Sequence, residues 1–169
     1  MAPAGTAALA SHAHPATKAV ITTYVTFTVA GQLFGIPVLQ VQDILVPGHI
    51  APVPLAPPEV RGAINLRGRI VTVIDMRVRL GLSESQSGDG RGMGVTVENG
   101  RDLYTLLVDD VGDVIELPAH LREPNPSTLD RLWLEFADGV FALEGRLMVV
   151  LDIARLLHIG QPVDRESAA

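Results

Sequence analysis

The chain repeats itself, and the repeat limits what it can fold into. Residues 68–80, GRIVTVIDMRVRL, align with residues 145–157, GRLMVVLDIARLL, sharing the Gly, Arg, Val, Asp and final Leu. Residues 34–45, FGIPVLQVQDIL, align with residues 104–115, YTLLVDDVGDVI, sharing two valines and an aspartate. The offsets are 77 and 70 residues and the order is kept. Two matches in register favour a duplicated unit, with the loop near 83–92 (SESQSGDGRG) between the copies. A chain of 169 residues suits one compact domain or two small lobes sharing a core, and needs neither metal nor disulfide to fold.

Within the copies the dominant period is two. ITTYVTFTV (21–29) places Ile21, Val25, Phe27 and Val29 on one face, and Ala30-Gly31-Gln32 then turns the chain. Residues 33–36 return until Pro37 interrupts them. Short strands are expected at 49–54 and 63–66, and a stronger one at 69–74. Residues 93–98 and 102–108 flank Asn99-Gly100, and residues 132–136 and 140–143 flank Asp138-Gly139, which gives two hairpin signals. Helical spacing is brief, at 76–82 and 153–158. Many short strands with little helix predict small all-β barrels rather than a βαβ sheet. Residues 1–19 and 161–169 have no period and read as flexible tails, leaving 20–160 as the folded domain.

Composition narrows the chemistry. Without cysteine there is no disulfide, thiolate metal site or cysteine nucleophile. A net charge of −6 argues against nucleic acid as the main partner. No apolar run approaches the ~18 residues of a membrane helix, and the N-terminal residues lack the basic start and apolar stretch of a secretory signal. A cytoplasmic protein with no direct membrane insertion is therefore expected. Hydrophobic residues make up 47% of the chain, and such surplus often marks a binding surface.

The candidate motifs mostly have structural explanations. Asp75 and Asp152 each end a strand and open a short amphipathic turn, the place of a helix N-cap, and the repeat makes them counterparts. Asp109, Asp110, Asp113 and Glu116 lack the ligand spacing and the glycine of a calcium loop. His12 and His14 have no third metal ligand at useful spacing, and His49, His120 and His158 are isolated. Gly88, Gly90, Gly92 and Gly94 match no phosphate-binding fingerprint, and no serine sits in a nucleophile elbow. The residues read as a protein without catalytic function.

One feature is left over. In GAINLRGRIVTVIDMR (62–77), two arginines flank the glycine of a hairpin tip. Gly68 suits the positive φ of a tight turn, but Asn, Asp or Ser would serve beside it as well as Arg67 does. Arg69 is repeated as Arg146, whereas Arg67 faces Glu144, so the fold does not require arginine at position 67. Arginines 61, 67, 69, 77 and 79 stand against only Glu59 and Asp75 in this region, a basic patch able to receive acidic side chains or a phosphate.

The segments TFTVAGQLFGIPVLQVQDIL, VPLAPPEVRGAINLRGRIVTVIDMRVRLGL, LLVDDVGDVIEL and LMVVLDIARLL resemble the CheW family of bacterial chemotaxis coupling proteins, over residues 24–157. The resemblance implies two pseudo-repeated five-stranded SH3-like barrels with short helical segments and a hydrophobic seam between them. It implies a non-catalytic adaptor, without cofactor, joining the regulatory domain of a CheA-type histidine kinase to the cytoplasmic tip of methyl-accepting chemoreceptors at membrane-associated arrays. It also implies receptor-binding roles for Arg67, Val41 and Asp43, and kinase contacts through the second lobe at residues it does not name. Tyr104-Thr105 departs from the family pattern, where small residues commonly stand. The reading from the arginine patch alone keeps an alternative: a CheW-like regulatory module binding a phosphate-bearing ligand or a non-receptor partner.

Overall fold

The computed structural model describes residues 20–82 and 92–159. The expected tails and nearly all of the expected linking loop lie outside the described residues. Ten strands run in order: β1 (Ile21–Val29), β2 (Gln32–Pro37), β3 (Val41–Leu45), β4 (Val60–Leu66), β5 (Arg69–Asp75), β6 (Met93–Asn99), β7 (Asp102–Val108), β8 (Asp110–Pro118), β9 (Ala137–Leu143) and β10 (Arg146–Leu151). Three short helices, α1 (Met76–Arg79), α2 (Arg131–Leu134) and α3 (Ile153–Leu156), and two 3-10 turns join them. Among the described residues no helix is long and apolar enough to cross a membrane.

The strands form two five-stranded sheets. Sheet 1 has the order β8-β1-β2-β10-β9 and sheet 2 the order β3-β6-β7-β5-β4. Adding five to each strand number of sheet 2, and wrapping β6 and β7 to β1 and β2, gives sheet 1. The sequence repeat is therefore a structural one, and each copy is divided between the sheets. Strands β1 and β2 of the first copy join β8, β9 and β10 of the second, while β6 and β7 of the second join β3, β4 and β5 of the first.

The correspondence extends to irregularities. Val25 pairs with Val114 as Val95 pairs with Ile44, and a register shift follows in both ladders, next to Val111 and to Val41. Gly62 and Gly139 each lie at a shift near the start of an edge strand, with φ of +152° and +106°. A Cβ on Gly139 would stand 2.9 Å from the Glu123 carbonyl, so the close strand approach there demands glycine.

Three apolar clusters explain why so many positions are hydrophobic. Inside sheet 1 lie Tyr24, Leu33, Phe141, Met148 and Val150, with Ile115 and Leu117 of one edge strand and Leu143 of the other packed against them. Inside sheet 2 lie Ile64, Val71 and Val73, with Leu45 from one edge strand and Leu66 from the other. Edge strands that share one cluster belong to a sheet curled into a barrel. The third and largest cluster, including Phe27, Phe34, Ile74, Leu106, Phe136 and Leu156, fills the seam between the two sheets. Strands covered on both faces need continuous apolar runs, which is why IVTVI and LMVVL do not alternate cleanly.

The two barrel interiors are packed by complementary exchanges. Gly35 leaves room for Met148, whose Sδ and Cε lie where a Cβ on Gly35 would be 2.8 Å away. At the equivalent place in sheet 2, Thr105 pairs its hydroxyl with that of Thr96 at 2.8 Å, and the smaller Val71 replaces the methionine. A larger residue on one strand is matched by a smaller one on its neighbour, keeping interior volume nearly constant.

Three local expectations are corrected. The Asp138-Gly139 hairpin does not exist, because both residues lie inside β9, and residues 131–134 are helical. Asp130 caps that helix by accepting from the Leu132 N–H at 2.9 Å, and Trp133 Nε1 donates to the Leu80 carbonyl at 2.9 Å, anchoring it across the seam. The Asn99-Gly100 hairpin exists, but Asn99 pairs with Asp102, so the turn is Gly100-Arg101 with Gly100 at φ +65°. Residues 49–54 form no strand. Only Ala51 bridges, to Ala63, since prolines 47, 52 and 54 supply no N–H to a ladder.

Candidate functional site

Strands β4 and β5 pair up to Leu66 and Arg69, leaving Arg67-Gly68 as a two-residue turn. Both residues have positive φ, +52° and +83°, which is the type I′ geometry that matches strand twist. Asn65 Oδ1 accepts from the Gly68 N–H at 2.9 Å and fixes the turn. A left-handed conformation costs a residue with a Cβ about 1–2 kcal/mol. Asparagine or glycine is the usual occupant, so arginine stands here against local preference. In the equivalent β9–β10 turn only Gly145 is left-handed and Glu144 is not.

The Arg67 guanidinium reaches across the mouth of the barrel to the opposite edge strand. Its Nη2 lies 3.2 Å from Oδ2 of Asp43, with side-chain exposures of 81% and 25%. Asp43 is held by accepting from the Ile44 N–H at 2.9 Å through Oδ1. An exposed pair of this kind contributes at most about 1 kcal/mol to folding, less than the strain at Arg67. The structure thus brings Arg67 and Asp43 together. Val41 lies on the same strand, but the register shift between Val41 and Asp43 turns it half into the central seam. Leu39, Ile44 and Val46, in or next to β3, are exposed.

The five-arginine patch is dispersed. Arg61 pairs with Asp75 at 3.1 Å. Arg77 forms a bidentate pair with Asp109, Nε to Oδ1 at 2.9 Å and Nη2 to Oδ2 at 2.6 Å. Asp109 also accepts from the Ala30 N–H at 2.8 Å, so it ties α1 to the β1–β2 turn of the other sheet. Burial pushes the Asp109 carboxyl up, but the Arg77 hydrogen bond, the Ala30 N–H and the Arg77 charge outweigh it, and the net direction is down. The same hydrogen bond raises Arg77. Arg79 is buried, and burial lowers its pKa against the opposing charges of Glu135 and Glu59. These three guanidinium groups have internal partners. Arg67 and Arg69 are left at the tip, and Arg101, which the sequence reading did not single out, joins them there: Arg69 Nη2 donates to the Arg101 carbonyl at 3.2 Å. Its signal was available, since the counterpart of Arg101 in the repeat is Gly31 and the turn needs no arginine.

The other sequence candidates have scaffold roles or no partners. Asp75 accepts from the Arg77 N–H at 3.0 Å and Asp152 from the Arg155 N–H at 3.1 Å, so both cap helices as expected. Among the described residues no three of His, Asp and Glu gather as a metal site. An open depression of about 500 Å³ beside β9 is lined by Arg122, Asn125, Asp138 and Arg155, and its arginines already engage Asp138.

Residues 23–161 match the family described as CheW-like domain. The chain is 31% identical over 134 residues to the chemotaxis protein CheW of Klebsiella aerogenes, covering 79% of this chain and 80% of that one. It is 30% identical over 135 residues to the chemotaxis protein CheW of Treponema pallidum, covering 78% and 79%. The crystal structure of the scaffolding protein TtCheW from Thermoanaerobacter tengcongensis superimposes with a TM-score of 0.74 at 26% identity, over 83% of this chain and 95% of that one. Sequence over most of its length and paired five-stranded barrels agree: the chain belongs to the CheW family.

Proposed function

We propose that the chain is a non-catalytic adaptor of bacterial chemosensory signalling. It couples the regulatory domain of a CheA-type histidine kinase to the cytoplasmic tip of methyl-accepting chemoreceptors, working in the cytoplasm at membrane-associated arrays. The family membership supports the adaptor role, and Arg67 carries the receptor assignment. A side chain kept in a disfavoured left-handed turn, nearly fully exposed, does little for folding, and backbone strain of this kind persists where it serves a site. The turn presents a planar fork of N–H donors that suits carboxylates and carbonyls on a receptor helix. Asp43 orients that fork, and Val41 with the exposed Leu39, Ile44 and Val46 in and beside β3 offers the flanking contact.

Coupling follows from the division of the copies. The receptor side lies on sheet 2, kinase contacts are expected through the second copy of the repeat, which contributes to both sheets, and the two sheets share one buried seam. Displacement of one lobe is thereby felt by the other, because packed seams transmit strain rather than absorb it. The test is titration against a receptor tip fragment and, in parallel, the kinase regulatory domain. Arg67→Ala should keep its melting temperature and kinase affinity while weakening receptor binding by roughly thirtyfold or more, and Arg67→Lys should recover only part. Undiminished receptor affinity in Arg67→Ala would reduce the arginine to solvated charge.

A further inference from the structure

Three arginines reach the tip of sheet 2 from separate elements: Arg67 from the β4–β5 turn, Arg69 from the start of β5 and Arg101 from the β6–β7 turn. Strands β5 and β7 are parallel neighbours with Thr72 opposite Tyr104, which sets Arg69 and Arg101 side by side at one end. Arg67 has Asp43 as its acid, whereas Arg69 and Arg101 have no carboxylate partner among the described residues. Of the nearby acids, Glu98 accepts from the Gln42 amide and Asp102 forms no ion pair among the described residues. On a chain of net charge −6 this end therefore carries two arginines, Arg69 and Arg101, without an ion pair among the described residues. The repeat replaces Arg67 by Glu144 and Arg101 by Gly31, so the barrel does not depend on arginine at those two positions, while Arg69 recurs as Arg146. Ile70, next to Arg69, is 81% exposed.

We infer that this end is an extended docking edge for an acidic, helical protein segment, with Arg69 and Arg101 as specificity-determining contacts beyond Arg67. The inference rests on the receptor reading above and widens it. Separated guanidinium groups steer an acidic surface into register and raise the association rate. The exposed isoleucine offers nothing to a phosphate or a nucleic acid. It does fit a helix whose apolar stripe borders carboxylates one turn apart, as neighbours at i and i+4 are.

The experiment compares wild type, Arg67→Ala, Arg69→Ala/Arg101→Ala and Arg69→Glu/Arg101→Glu against a soluble coiled-coil fragment of a chemoreceptor tip, over a salt series. The kinase regulatory domain serves as control. The double alanine variant should bind the receptor fragment about tenfold more weakly, the double glutamate variant more weakly still, and both with a shallower salt dependence. Kinase affinity and circular dichroism should stay unchanged. If Arg67→Ala loses binding while the double alanine variant keeps wild-type affinity and salt slope, the docking edge is overturned and the receptor reading stands. If wild type does not bind the fragment at all, both fall.

Discussion

Arg79 Nε donates to the main-chain oxygen of Leu156 at 2.8 Å, and the two residues are counterparts in the repeat. The pseudo-two-fold relation brings the ends of α1 and α3 together, and the sequence breaks it there. The arginine caps the opposite copy's helix, with Nη2 reaching the Arg155 carbonyl at 3.4 Å, and its guanidinium lies 4.8 Å from the centre of the Phe136 ring. Arg79→Ala should lower stability by about 3 kcal/mol, since it strips the buried Leu156 carbonyl of its side-chain donor and removes a packed stem. Arg79→Leu, copying the counterpart, should cost less because it restores packing. Denaturant titration measures both.

Asp109 joins the sheets through Arg77 and the Ala30 N–H, and Asp109→Asn should cost about 2 kcal/mol at neutral pH. The direction with pH follows from its lowered pKa. Stability from a depressed carboxyl is fully present above the unfolded value of about 3.9 and is lost as pH falls through the folded value. Wild type and variant should differ equally at pH 7 and 5.5, and converge in strong acid. A gap that persists at the acid end would assign the loss to packing instead.

Arg67→Gly separates folding from binding. Glycine takes the left-handed turn without strain, so the variant should match wild type or exceed it by up to about 1 kcal/mol. Receptor affinity should nonetheless fall as in Arg67→Ala. A variant both stabilised and binding-deficient identifies a residue kept for its contacts.

The two capping aspartates should not be equal. Asp75 accepts two N–H groups, pairs with Arg61 and is buried, whereas Asp152 accepts one and is more exposed. Asp75→Ala should cost about 2 kcal/mol and Asp152→Ala about 1 kcal/mol, with partner affinity per folded molecule unchanged. Thermal melts of the two variants order them.

Much of this was legible because the repeat is in the sequence. The alignment of 68–80 with 145–157 gave the strand, the capping aspartate and the helical turn twice over, and it isolated Arg67 as the residue the barrel does not need. Failures came where tertiary partners outvote local pattern. Asp138-Gly139 carries a hairpin signature, yet the approach of the Glu123 carbonyl uses the glycine for a bulge within a strand. Strand β8, DVGDVIELP, has too many acids to look like sheet, but it is an edge, and solvent takes its outer groups. The pairing of Arg67 with Asp43 crosses a barrel mouth, and no spacing rule reports such a contact.

The order of strands also dictates a timetable for the growing chain. Sheet 2 is contiguous, from Val41 to Val108, and sits within sheet 1 as an insertion. It can close as soon as Val108 has been made. The β1–β2 hairpin, carrying Phe27 and Phe34, can pair through β1 with β8 once Pro118 has been made, but its β2 edge stays open until Met148 arrives to pair beside Leu33. During that interval the β2 edge is unpaired and Phe34 lacks the Trp133 ring that packs on it, and such long-range pairing is intrinsically slow. The β1–β2 hairpin is thus completed only at the end of the fold, and translation that stalls short of β10 leaves an adhesive strand edge beside an otherwise folded lobe.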